Sequence, residues 1–335
     1  MLFRRNINML LIVLLLSLLT ACAQGEEQGI ENEQTGEVEN DAEVEVDLET
    51  EHQHEHEKKE TMFQHVHGLA YELSEPYDLH LGTHHGVFRI NPDNVWRWLG
   101  TNKHRHDVMG FTFLDEETMI SSGHPSEASN LKNPIGVIIS KDQAETWEPI
   151  ALHGEVDFHT FEVNASQSGV LYGIDMSGFY RSEDFGYNWE LVRAKGLPEN
   201  PQDIYTLVSN PGQPSALLAG TKFGIYQSDD GGETWGLATD EETLISAKAA
   251  YEQEGTIVAY VQGKNENGLV KSTDFGSSWT SLNLQFDDDA VAHIAVHPVN
   301  EGEFAVGTFK GDLYRTIDNG VNWQVIAKEG KSIVD

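Results

Sequence analysis

Ser228-Asp229-Asp230-Gly231-Gly232-Glu233-Thr234-Trp235 decides the fold, because the chain repeats it. The pattern Ser/Thr-x-Asp-x-(Gly)-x-x-Trp returns at residues 140–147, 182–189, 272–279 and 316–323. Its aspartates, Asp142, Asp184, Asp230, Asp274 and Asp318, stand 42, 46, 44 and 44 residues apart. The chemistry of the pattern is that of a tight turn. Asp accepts backbone N–H groups, Gly permits positive φ, and the closing Trp147, Trp189, Trp235, Trp279 or Trp323 packs beside the turn. A degenerate sixth copy, Asn91-Pro92-Asp93-Asn94-Val95-Trp96, precedes the first by 49 residues. Ala144 stands where the other copies have Gly, which should weaken that turn.

Around each turn the chain reads as four short apolar stretches, and four strands at a fixed period of about 44 residues describe a propeller blade. Residues 62–329 have room for six such units. The expectation is an all-β, six-bladed β-propeller with Asp-box turns, each blade running from a first to a fourth strand, closed by packing between the first and last blades. Residues 330–335 are left as a C-terminal tail.

Ahead of this domain, Arg4 and Arg5, an apolar run over residues 9–19 and Leu19-Thr20-Ala21-Cys22 read as a signal peptide over 1–21. Leu-Thr-Ala-Cys resembles a bacterial lipobox, which implies lipidation of Cys22 and a lipid-anchored protein on the extracytoplasmic face of the cell membrane. Cys22 is the sole cysteine, so disulfides and thiol chemistry are excluded. Residues 22–61 follow as an acidic tether too poor in apolar groups to fold, with His52, His54 and His56 in it. The formal net charge of −34 argues against nucleic acid, which needs a basic face. A monomer is expected, with an unknown protein, glycan or metal as ligand.

The repeats resemble the Asp-box (BNR) repeats of sialidase-like glycosyl hydrolases, of the sortilin ectodomain and of the propeller that assists photosystem II assembly. The resemblance covers nearly all of residues 62–329 and implies the fold, while the same repeats serve enzymes and binding proteins alike. His65-Val66-His67-Gly68-Leu69-Ala70, His84-His85-Gly86-Val87-Phe88-Arg89 and Gly154-Glu155-Val156-Asp157-Phe158-His159 are similar to stretches of bacterial lipoproteins described as glycosylhydrolase-like. That similarity implies ancestry. A sialidase site needs three convergent arginines, and Arg89, Arg181 and Arg315 recur at one place in three blades, which points to architecture.

In a blade with strands A to D from the centre outward, the D–A and B–C connections share one face. Ten of the twelve propeller histidines fall there by position, with His80 and His297 elsewhere. They concentrate on blades six, one, two and three. His65, His67, His84, His85, His106 and His124, with His159, Asp107 and Asp157, are therefore the candidate ligands of a borderline cation such as zinc or copper. Three functions stay open: a ligand-binding propeller with a metal site, a glycoside or other metal-assisted hydrolase using Asp107, Asp157 or Glu155 as base, and protein-partner binding without metal.

Overall fold

Each full copy of the repeated turn closes in the same way. Ser140 Oγ donates to Asp142 Oδ1 (2.9 Å) and accepts from the Ala144 N–H (2.8 Å), while Asp142 accepts from the N–H and hydroxyl of Thr146 at 2.9 and 2.6 Å. The set is repeated at Asp184 with Asn188, Asp230 with Thr234, Asp274 with Ser278 and Asp318 with Asn322. In the first blade Asn91, rather than Asp93, carries the turn: its Oδ1 accepts from the N–H groups of Asp93 and Val95 at 3.0 and 2.8 Å. Ala144 is held at φ 62°. A side chain there costs about 1–2 kcal/mol, the physical content of the weakening expected from its sequence.

These turns join strands three and four of six antiparallel sheets, seen in a computed structural model that describes residues 62–333 apart from 64 and 265. The signal peptide, Cys22 and residues 23–61 lie outside the described residues. Blade one is β1 (Gly68–Tyr71), β2 (Leu79–Thr83), β3 (Gly86–Ile90) and β4 (Trp96–Trp98); blade two is β5 (Asp107–Phe113), β6 (Met119–His124), β7 (Val137–Ser140) and β8 (Glu148–Ala151). Blade three is β9 (Thr160–Val163), β10 (Leu171–Asp175), β11 (Gly178–Ser182) and β12 (Glu190–Val192); blade four is β13 (Ile204–Asn210), β14 (Gln213–Thr221), β15 (Gly224–Ser228) and β16 (Gly236–Thr239). Blade five is β17 (Glu242–Ala249), β18 (Ile257–Gly263), β19 (Asn267–Ser272) and β20 (Thr280–Ser281). Blade six is β21 (Val291–Val296), β22 (Phe304–Thr308), β23 (Leu313–Thr316) and β24 (Gln324–Lys328), with a fifth strand, β25 (Lys331–Ser332), from the segment read as a tail.

The first strands β1, β5, β9, β13, β17 and β21 touch in a ring, so strand A of each blade lies nearest the axis. Toward the A–B end of this ring, Lys248 of β17 reaches Glu162 of β9 (3.5 Å), and Glu162 also accepts from the N–H and hydroxyl of Ser209. Closure combines packing with pairing. Leu69, Leu81 and Phe88 of blade one share an apolar cluster with Ala305, Leu313 and Ile326 of blade six, and Met62 bridges Lys331 while the Phe63 N–H donates to Gly330 O (2.8 Å).

The core is the set of layers between neighbouring sheets, and the repeated turns feed it. Gly232, at φ 88° in the fourth blade's turn, lies under Phe179 of the third, where a Cβ would sit 2.3 Å from Cε1 of that buried ring. Gly232→Ala therefore combines backbone strain with overpacking and is expected to destabilise by roughly 2 kcal/mol. A urea-denaturation midpoint equal to wild type would contradict this account of the blade contact.

Candidate functional site

The chain brings imidazoles to one end of the A strands by register. The His67 N–H donates to Gly82 O (2.9 Å), which seats His67 just ahead of β1 and beside the β2–β3 turn that carries His84 and His85. In blade two, Asp107 opens β5 directly opposite His124, the last residue of β6. Ahead of β9, the Phe158 N–H donates to Ser122 Oγ (3.0 Å) of blade two and fixes the segment that holds Asp157 and His159.

Blade architecture does not demand these polar residues. Continuing the pairing of β1 with β2 and of β9 with β10 by one residue puts His67 opposite Thr83 and His159 opposite Asp175. The matching places in blades four, five and six are Ile204 opposite Thr221, Leu244 opposite Val261 and Val291 opposite Thr308. Imidazole at this position is a departure from the apolar repeat.

Two ligand groups result. In the first, one nitrogen of each of His65, His67 and His84 lies within 4.8 Å of the others. Asp107 stands behind them: Oδ1 meets His67 Nδ1 at 3.1 Å and Oδ2 meets His84 Nδ1 at 2.9 Å. With both Nδ1–H groups donated to one carboxylate, the Nε2 atoms of His67 and His84 are the ones left with lone pairs. His65 Nδ1 is 3.1 Å from His84 Nε2, close to the separation of about 3.3 Å between ligand atoms around a tetrahedral zinc ion. Burial holds His65 and His67 below the ordinary imidazole range, aided by neighbouring His84. Burial alone would raise Asp107, but the hydrogen bonds from His67 and His84 outweigh it and hold the carboxyl well below its usual range. Neutral imidazoles backed by an ionised carboxylate are the state in which a cation is bound.

The second group is His124, Asp157 and His159. Asp157 Oδ2 lies 3.0 Å from His124 Nε2 and 2.7 Å from His159 Nε2, and His124 Nδ1 meets Asn133 Oδ1 at 2.6 Å. The bond to Asp157 pushes His124 up to about 9; His159 is raised as well, with burial opposing and Asp157 prevailing.

Other sequence-derived candidates fall outside both groups. His106 is fully buried with Nδ1 accepting from the Ser126 N–H (3.1 Å), since alternation along an extended chain sends it away from its neighbour Asp107. His85 is exposed, its ring 6.4 Å from that of His84. Glu155 is exposed on the turn before Asp157. His153 is taken up by the Lys132 N–H and Ile135 O, and His293 is held below the ordinary imidazole range by burial, with neighbouring His67 adding to the fall. His80 and His297 are buried on their own blades and belong to neither group. Sequence reasoning missed Asn133, which comes from the long β6–β7 connection and carries no periodic signal.

The repeated arginines do not converge. Arg89 pairs with Asp78 (3.2 Å), Arg181 with Glu190 (3.3 Å) and Arg315 with Glu303, each on its own blade. These three are structural, as their recurrence suggested.

No protein-family model matches the chain, and no curated protein does. Solved structures are similar in fold. The GH74 enzyme of Niastella koreensis superposes with a TM-score of 0.53 at 16% identity, over 79% of this chain and 45% of that one. The GH74 xyloglucanase of Xanthomonas campestris gives 0.50 at 18%, over 79% and 45%, and an ancestral GH74 enzyme 0.50 at 13%, over 80% and 39%. The chain thus spans less than half the length of each, and at these identities the likeness is one of fold.

Proposed function

We propose that this protein is an extracytoplasmic β-propeller, held to the membrane by lipid on Cys22, that binds a transition metal ion through His65, His67 and His84. The observation that carries this reading is Asp107, one carboxylate accepting from Nδ1 of two imidazoles that gather with a third, one nitrogen of each within 4.8 Å of the others. A carboxylate behind a ligating histidine fixes its tautomer and orientation. An all-imidazole donor set suits zinc or copper and leaves a position for water or a ligand. The acidic surface favours cations over anions, and His52, His54 and His56 in the sequence ahead of the propeller supply further imidazoles for capture.

The test uses the full chain with His52, His54 and His56 changed to alanine, so that these residues contribute nothing. After incubation with zinc or copper and desalting, this protein is expected to retain metal by elemental analysis. His67→Ala with His84→Ala should abolish retention at the first group, and Asp107→Asn should weaken its affinity about 10–100-fold. His80→Ala with His297→Ala should leave it unchanged. Parent protein that holds no metal at all would leave partner binding on the same face as the better account.

A further inference from the structure

We infer that the propeller carries a second, separate cation site at His124, Asp157 and His159, which takes a divalent d-block ion of the zinc class. The inference rests on the reading above, since it extends the same face by one blade.

Four observations carry it. One ligand atom from each of the three residues lies within 4.8 Å of the others, as in the first group. The His124 ring is oriented from behind: Asn133 Oδ1 at 2.6 Å takes the Nδ1–H and leaves Nε2 facing Asp157 and His159. Asp157 Oδ2 is shared by both imidazoles, yet its Oδ1 is buried and has no hydrogen-bond partner among the described residues. A buried carboxylate oxygen left so is costly, and a cation held by both oxygens of the carboxylate removes that cost. Finally, the three donors come from rigid places: His124 ends β6 opposite Asp107 on β5, and Phe158, fully buried, anchors the 157–159 segment through Ser122.

The donor sets differ, and so does what each selects. Three imidazoles accept zinc or copper, whereas two imidazoles with a carboxylate oxygen form a harder set that favours a divalent ion over copper(I). Ion entry replaces the Nε2–H groups that now donate to Asp157 Oδ2, releasing those protons, and requires the donors to part slightly. Their present separations of 2.7 and 3.0 Å are shorter than the edge of about 3.3 Å around zinc. No ligand atom is common to the two sites, so either can be filled alone.

Zinc stoichiometry by elemental analysis, on the full chain with His52, His54 and His56 changed to alanine, tests this. Two equivalents per chain are expected, falling to one in Asp157→Asn, to one in His67→Ala with His84→Ala, and to none when all three changes are combined. His159→Gln should match Asp157→Asn and serves where that variant fails to fold, with circular dichroism as the check. One equivalent in the parent, unchanged by Asp157→Asn, would overturn the second site and leave the first standing. Loss of both ions from folded Asp157→Asn would overturn the separateness of the sites. A parent without zinc would sink both readings together.

Discussion

Phe158→Ala is expected to destabilise the propeller by about 3–5 kcal/mol, the usual cost of truncating a fully buried aromatic. The ring has no exposed surface and packs against Trp189, Tyr180 and Phe161 at centroid distances of 4.9, 5.3 and 5.9 Å. Gly173 lies beneath it so closely that a Cβ there would meet the ring at 2.8 Å, so the backbone is already shaped to the aromatic. The void would open between blades two and three, where Ile120, Val137, Ile139 and Leu171 belong to sheets that cannot easily collapse on it. Urea denaturation with an unchanged m-value would measure the loss. Leu191→Ala, more than half exposed on the outer strand of the same blade, should shift stability by less than about 0.5 kcal/mol. A loss under 1 kcal/mol for Phe158→Ala would contradict the close packing of this layer. Because Phe158 stands between Asp157 and His159, the same change should loosen that pair while leaving His65, His67 and His84 in place.

That coupling shows which parts of the molecule the sequence makes legible. The Ser/Thr-x-Asp turn is readable because its chemistry is local: every partner of Asp230 lies within four residues. Even there a signal went unread. Thr146, Asn188, Thr234, Ser278 and Asn322 all return a side-chain donor to the aspartate, and their kinship as polar donors stands in the sequence at one fixed place. The face on which the histidines fall follows from blade order, since connections alternate between the two ends. The direction of each side chain does not. His106 and Asp107 are neighbours in sequence, yet one is buried behind Ser126 while the other holds His67 and His84. Asn133 and the pairing of Met62 with Lys331 depend on where long connections end in space, and no residue spacing encodes that.

Acidification from pH 7 to pH 5 is expected to cost the propeller on the order of 2 kcal/mol through His80 alone. His80 is completely buried; its ring lies edge-on to Phe113 at 5.2 Å and also near Phe111. Burial pushes it down to about 3, with the Asp78 carbonyl opposing and Arg89 adding to the fall. The folded-state value is thus below the unfolded one near 6.5. Under pH 6.5 the unfolded chain takes up a proton that the folded chain refuses, so stability present above 6.5 drains away as pH falls, by about 1.4 kcal/mol per unit. The surrounding groups set the lower limit of this window. Glu72, 3.7 Å from His80, and Asp78 are both raised by burial, and carboxyls protonated more readily in the folded state begin to offset the loss near their own titration. His106 and His293, each lowered to about 4 by burial, push the same way as His80, whereas His124 and His159, raised by Asp157, oppose it, so the contribution of one histidine is read from the difference between two proteins. His80→Phe isolates the contribution. The new ring keeps the aromatic neighbours and forfeits two long contacts, 3.3 Å to the Asp78 carbonyl, which already accepts from the Glu72 N–H, and 3.7 Å to the Glu72 carboxylate. Urea titrations at pH 7, 6 and 5 should show the variant losing about one proton's worth of slope relative to wild type. Parallel stability curves for the two proteins would mean that His80 is charged in the fold, and that Glu72, rather than burial, governs it.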